Sequence, residues 1–140
     1  MISNKRLILI VDDNQVNRQI LCKILSDEYD IVQAANGQEG LHILSQKPET
    51  ISAILLDLVM PVMSGYTFLD IQQADKRLAA VPVVVETQRE GPKFEIDALA
   101  RGASDFLTKP YNPALIKQRI ANIINCTKPP PLPTASSMTH

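Results

Sequence analysis

Asp12, Asp13, Asp57, Thr87 and Lys109 combine the residue types and placements that could do phosphoryl chemistry, because each stands within two residues of the end of a short apolar run. They bring carboxylates, a hydroxyl and an ammonium toward one region. Two carboxylates held ~4 Å apart repel by about 4 kcal/mol at an effective dielectric of ~20, so a cluster of acids requires a proton or a cation. A hard divalent ion with oxygen ligands answers that need, and Mg2+ is the usual choice where a phosphoryl group completes the shell. Lys109 supplies a point charge and Thr87 a donor for phosphoryl oxygens. Asp57 is the candidate nucleophile, since a carboxylate attacking a phosphorylated donor becomes an aspartyl phosphate. The cation and Lys109 then offset the charge gathering on the transferred group.

Taken singly, each residue has a commoner explanation. Asp12-Asp13-Asn14 reads as a helix-capping turn, and Thr108-Lys109-Pro110 as a plain corner between a strand and a helix. Asp57 reads equally well as a surface turn residue, and Thr87 is ordinary at a strand end. The bland explanations are independent of one another, whereas a shared site predicts all of them together.

The elements that must position these residues follow from hydrophobic periodicity. Short apolar runs alternate with amphipathic stretches five times, as in a doubly wound parallel α/β sheet. Leu7–Val11 is the first strand, with Val16, Ile20, Leu21, Ile24 and Leu25 giving the first helix its apolar stripe. Ile31–Ala34 is a weaker second strand, followed by Asn36-Gly37 and a helix carrying Leu41 and Leu44 that Lys47-Pro48 closes. Ile51–Leu56 is the third strand, and Phe68, Leu69 and Ile71 mark the helix after it. Val81–Val85 is the fourth, followed by a helix beginning near Pro92, with Ile96, Leu99 and Ala100 inward and Gly102 as its cap. Phe106-Leu107 is the fifth strand, and Asn112-Pro113 opens a last helix with Leu115, Ile116, Ile120, Ile123 and Ile124 along it. The expected fold is α/β, (βα)5, with strand order 2-1-3-4-5 and helices on both faces. In that order the first and third strands adjoin at the switch point, so Asp12, Asp13 and Asp57 crowd together beyond their carboxyl ends.

Composition narrows the classes further. With 14 Lys+Arg against 15 Asp+Glu, the chain lacks the basic excess of a direct nucleic-acid or anionic-membrane binder. The N-terminal apolar run is too short for a signal peptide or a bilayer span, which leads to the expectation of a soluble, cytoplasmic protein. Cys22 and Cys126 fit neither a CxxC pair nor a disulfide framework, and His42 and His140 have no zinc-ligand spacing. Residues 1–125 are expected to form one domain. Residues 126–140 contain Pro129-Pro130-Pro131-Leu132-Pro133 and read as a disordered tail or linker.

The chain resembles the response-regulator receiver domains of two-component signalling over about residues 5–125. The resemblance is carried by Val11-Asp12-Asp13-Asn14, by Asp57-Leu58-Val59-Met60-Pro61-Val62-Met63-Ser64-Gly65, by Pro82–Thr87, and by Gly102-Ala103-Ser104-Asp105-Phe106-Leu107-Thr108-Lys109-Pro110. It implies a phosphoryl group passed from a sensor histidine kinase or phosphotransfer protein to Asp57. It also implies Mg2+ held by Asp13, Asp57 and the Val59 carbonyl, with Asp12 acting through water. Lys109 and Thr87 then contact the phosphoryl group, Thr87 and Phe106 form a switch pair, and the bond before Pro110 is cis. Val59, Gln88 and Arg89 occupy positions that modulate access to the site. The implied output is a shift of the face made by the fourth helix, the fifth strand and the fifth helix, read by a C-terminal effector domain or by a second copy of the chain. Its catalysis is confined to phosphorylation and dephosphorylation of its own Asp57.

Two residues depart from the family pattern. Glu86 stands where an apolar residue is usual and Gln88 where Ala or Gly is usual. As the strand neighbour of Thr87, Glu86 is expected on the opposite sheet face, reaching water near the strand end. Gln88 is expected to obstruct the approach to Asp57 in part. These departures leave open a binding module of the same fold that works without phosphorylation. A flavin carrier with this strand order is disfavoured, since Asp12-Asp13 would repel its phosphate.

Overall fold

In the computed structural model, which describes residues 5–87, 92–109 and 112–127, the strands form one parallel five-stranded sheet in the order β2-β1-β3-β4-β5. The strands are β1 (Arg6–Val11), β2 (Tyr29–Ala34), β3 (Ile51–Asp57), β4 (Val83–Thr87) and β5 (Asp105–Thr108). Five principal helices connect and follow them: α1 (Gln15–Leu25), α2 (Gly37–Gln46), α3 (Gly65–Ala74), α4 (Pro92–Ala100) and α5 (Pro113–Thr127). A 3-10 turn at Pro48–Thr50 and a one-turn helix at Lys76–Ala79 were not legible in the periodicity, being too short to show a repeat. The fourth strand begins two residues later than its apolar run, because Pro82 has no N–H for the ladder, and it extends through Thr87.

Alternate side chains of each strand enter opposite halves of the core. Leu9, Val11, Ile54, Leu56, Val83 and Val85 pack with Leu44, Phe68, Leu69 and Ala98 beneath α2, α3 and α4. Ile8, Ile10, Ala53, Leu55 and Val84 pack with Leu21, Leu25, Ile116 and Ile120 of α1 and α5. Both faces of the central strands are thus covered, which is why they read as continuous apolar runs rather than as alternation.

Several apolar positions lie outside this core, contrary to expectation. Val16 and Ile20 on α1, Ile71 on α3, Ile96 and Leu99 on α4, and Leu115 on α5 are exposed, while Ala98 of α4 is fully buried. Ala100 is exposed as well. Helical spacing identifies an apolar stripe, but only the sheet decides how wide a stripe it covers.

Side-chain caps set the helix starts. Asn14, Asn36, Ser64 and Asn112 each accept a backbone N–H from the first turn of α1, α2, α3 and α5. Gly102 ends α4 with φ 109°, a left-handed conformation that favours glycine.

Candidate functional site

The carboxyl ends of β1, β3, β4 and β5 meet at one rim of the sheet. Continuing the row of Ile8 and Ile10, Asp12 keeps to the α1 and α5 side, and Asp57 does the same after Ala53 and Leu55. One oxygen from each of Asp12, Asp13 and Asp57 lies within 4.8 Å of the others. Asp12 is fully buried, Asp57 is 5% exposed, and Asp13 faces solvent. The acids expected to crowd together therefore do so.

The Asp57 carboxylate is held from two directions. Its Oδ1 accepts the backbone N–H of Val59 at 3.1 Å. Its Oδ2 lies 3.6 Å from the Lys109 ammonium, in an ion pair whose side chains are both largely buried. Burial nevertheless dominates and pushes the Asp57 carboxyl up to about 6. The Val59 amide and Lys109 act downward, whereas Asp12 and Asp13 act upward with the burial. A proton or a second cation would relieve that strain.

Gly65 makes the close packing behind Asp57 feasible. A Cβ there would lie 2.5 Å from the Asp57 carbonyl oxygen and 2.6 Å from the Leu58 Cα, both backbone atoms. The Gly65 amide also donates to the Leu58 carbonyl at 2.9 Å, closing the β3–α3 loop on itself. Within this loop Val62 holds φ 72°, a strained left-handed conformation for a β-branched residue.

Thr87 is buried at the end of β4, and its carbonyl accepts the Lys109 amide at 3.0 Å. Phe106 is half-buried against the cluster under α2, α3 and α4. Val59 is 61% exposed, and its amide is the group that ties it to the Asp57 carboxylate. Gln88, Arg89 and Pro110, expected to modulate access and to carry a cis bond, lie outside the described residues, as does most of the proline-rich tail.

The acids suit a hard cation. Asp12 Oδ1 accepts the Asn14 amide at 2.9 Å, while its Oδ2 is buried with no hydrogen-bond partner, an unsatisfied lone-pair donor facing two further carboxylates. A set made entirely of oxygens is the donor chemistry that Mg2+ takes.

Sequence reasoning placed Glu86 incorrectly. Its side chain does lie on the face opposite Thr87, but it reaches no water: Glu86 is fully buried, in Cα register with Asp57. The row places it over the α1 and α5 half of the core, beyond the reach of solvent. Arg18 was missed altogether. Its Nη1 donates to the Asp12 carbonyl at 2.6 Å and its Nε to Gln33 Oε1 at 3.2 Å, tying the β1–α1 turn to β2. The available signal was a cation one helical turn after the Asn14 cap.

Comparison with known proteins agrees with this geometry. Residues 8–121 match the family described as the response regulator receiver domain. The chain is 30% identical over 118 residues to the two-component response regulator ORR11 of Oryza sativa subsp. japonica, covering 84% of this chain and 80% of that one. It is 28% identical over 127 residues to the hybrid signal transduction histidine kinase D of Dictyostelium discoideum, covering 91% of this chain but only 8% of that protein. The chemotaxis protein CheY4 of Vibrio cholerae superposes with a TM-score of 0.79 at 28% identity, over 85% of this chain and 98% of that one. Relatives of this domain thus include proteins many times its length.

Proposed function

The chain belongs to the response-regulator receiver family of two-component signalling, and from that premise we propose that Asp57 is its phosphoacceptor. The observation that carries this reading is the buried Asp57 carboxylate, paired with Lys109 and within 4.8 Å of Asp12 and Asp13. In the proposed step, an Asp57 carboxylate oxygen forms a bond to phosphorus as the N–P bond of a phosphohistidine breaks. The departing imidazole keeps the electron pair. Lys109 stays protonated and moves from the carboxylate to a phosphoryl oxygen, while the Thr87 hydroxyl donates to another. Asp13, Asp57 and the Val59 carbonyl, with Asp12 acting through water, would hold Mg2+, which would supply positive charge against the phosphoryl oxygens. Asp12 and Asp13 thereby cease to oppose an incoming anion.

The donor on this reading is a sensor histidine kinase or a phosphotransfer protein in the cytoplasm, and the domain's own catalysis is limited to gaining and losing the phosphoryl group at Asp57. Thr87 and Phe106 form the switch pair, Phe106 filling the space Thr87 leaves. The face of α4, β5 and α5 then changes packing and is read by an attached effector domain or a second copy. Gln88 and Arg89 act on access. Among the described residues no helix is long and apolar enough to cross a membrane.

Mass spectrometry after treatment with a phosphorylated donor and Mg2+ tests the assignment. One phosphoryl group is expected on Asp57 and none on Asp57→Asn; a label elsewhere, or an equally labelled variant, overturns it. One observation favours a second reading, a binding module that works without phosphorylation: the buried Glu86 brings another carboxyl into register with Asp57. Absence of any response to beryllofluoride with Mg2+ would select that reading.

A further inference from the structure

Arg119 of α5 meets the edge strand β5 at Phe106 and at Asp105 just before it. Its Nη1 donates to both carboxylate oxygens of Asp105, each at 3.0 Å. Asp105 Oδ1 also accepts the backbone N–H of Phe106 at 2.8 Å. The Arg119 guanidinium carbon lies 5.8 Å from the centre of the Phe106 ring. The two ends of this contact belong to different sides of the sheet. Leu107, in alternation with Phe106, packs under α1 and α5, whereas Phe106 packs under α2, α3 and α4. Arg119 therefore spans the sheet edge, anchored to Asp105 and facing the ring beyond it.

The anchorage is through a single nitrogen, and Arg119 Nε is buried without a hydrogen-bond partner. A buried donor left without a partner carries a desolvation cost that the two bonds to Asp105 and the ring contact must offset. The cation–π contact with Phe106 belongs to the present position of the ring. A ring that turned inward would leave it.

We propose that Arg119 is a positioning residue of the switch, weighting Phe106 toward the position seen here by anchoring on Asp105 and facing its ring. This rests on the reading of Thr87 and Phe106 as the switch pair. A group that contacts one of two conformers shifts the equilibrium by its differential interaction alone. Loss of the contact should therefore make the inward position more populated and the activated state easier to reach.

The test is fluorine NMR of protein carrying 4-fluorophenylalanine, whose three phenylalanines give three signals, with the Phe106 signal assigned by Phe106→Leu. In ligand-free Arg119→Met, the Phe106 signal is expected to move toward its position in wild type saturated with beryllofluoride and Mg2+. The apparent beryllofluoride affinity is expected to rise about two- to fivefold, the size of a partly exposed cation–π contact. In a Phe106→Leu background the same substitution should change that affinity by less than about twofold, since the partner ring is gone. Arg119→Lys, which keeps the charge beside Asp105 but lacks the planar guanidinium, should move the signal the same way and serves if the methionine variant does not fold. An unmoved Phe106 signal in ligand-free Arg119 variants overturns the proposal, as does an equal affinity change with and without the Phe106 ring. Wild type that binds no beryllofluoride would instead refute the phosphoacceptor reading, while the ligand-free signal still decides the role of Arg119.

Discussion

The Lys109 ammonium stands 3.6 Å from Asp57 Oδ2, and the two side chains are only 13% and 7% exposed. Even with that cation alongside, burial holds the Asp57 carboxyl up at about 6, against 3.8 for an ordinary aspartate. Between these values the folded chain keeps a proton that the unfolded chain has lost, so stability falls as pH rises through the window and stays lowered above it. In metal-free buffer, Asp57→Asn should therefore be more stable than wild type by ~1–3 kcal/mol above pH ~6, with the difference vanishing below pH ~4. Urea unfolding in EDTA across that range measures it. Parallel curves for the two proteins would show that the carboxylate is not strained.

Mg2+ affinity should follow the charge at the rim. Asp12→Asn retains an oxygen for the Asn14 amide but removes one negative charge, and it is expected to weaken Mg2+ at least about tenfold, or ~1.4 kcal/mol. Lys109→Met removes the opposing cation and should strengthen Mg2+ severalfold. Chemical-shift titration of both variants checks the opposite signs, and a change in the same direction would contradict the electrostatic account.

Gly65→Ala probes the packing behind the phosphoacceptor. The new methyl group would press on the Asp57 carbonyl and the Leu58 Cα, neither of which can move without the strand end. A destabilisation of ~1–3 kcal/mol is expected, as for overpacking elsewhere. Labelling of Asp57 should fall with it, by more than the unfolded fraction explains.

Val62 offers a change in the other direction. Its φ of 72° costs a β-branched residue energy that asparagine largely avoids. Val62→Asn should stabilise the domain by about 1 kcal/mol, read as a higher urea midpoint at unchanged slope.

Gln72 tests the frame on the far side of the sheet. Fully buried on α3, its Nε2 donates to the carbonyls of Leu78 at 2.8 Å and Val81 at 2.9 Å, holding the one-turn helix against the entry to β4. Gln72→Leu leaves both carbonyls without that donor and should cost ~2–4 kcal/mol in urea unfolding. The labelling of Asp57 in the folded fraction should be unchanged.

Chain order alone was enough to identify the five strands, their succession and the acids that gather at their ends. An apolar run covered on both faces and followed by a polar residue is a local pattern, and the parallel arrangement follows from alternation with helices. The caps at Asn14 and Asn112 were legible for the same reason, since a capping side chain bonds within its own first turn. What depended on distances across the sheet was not legible. Glu86 at the end of its strand looked solvated, yet the register sets it beside Asp57 over the covered half of the core. Ile96 and Leu99 carried an apolar stripe, yet α4 buries Ala98 and leaves them outside, because the width of the covered face is set by its neighbours. The link from Arg119 to Asp105 and Phe106 joins residues of a helix and a strand, and no spacing along the chain announces it. Sequence thus determined which groups this protein possesses and at which strand ends they stand. Tertiary packing alone decided which are withdrawn from water and which face one another, because burial and pairing arise from surfaces brought together by separate segments.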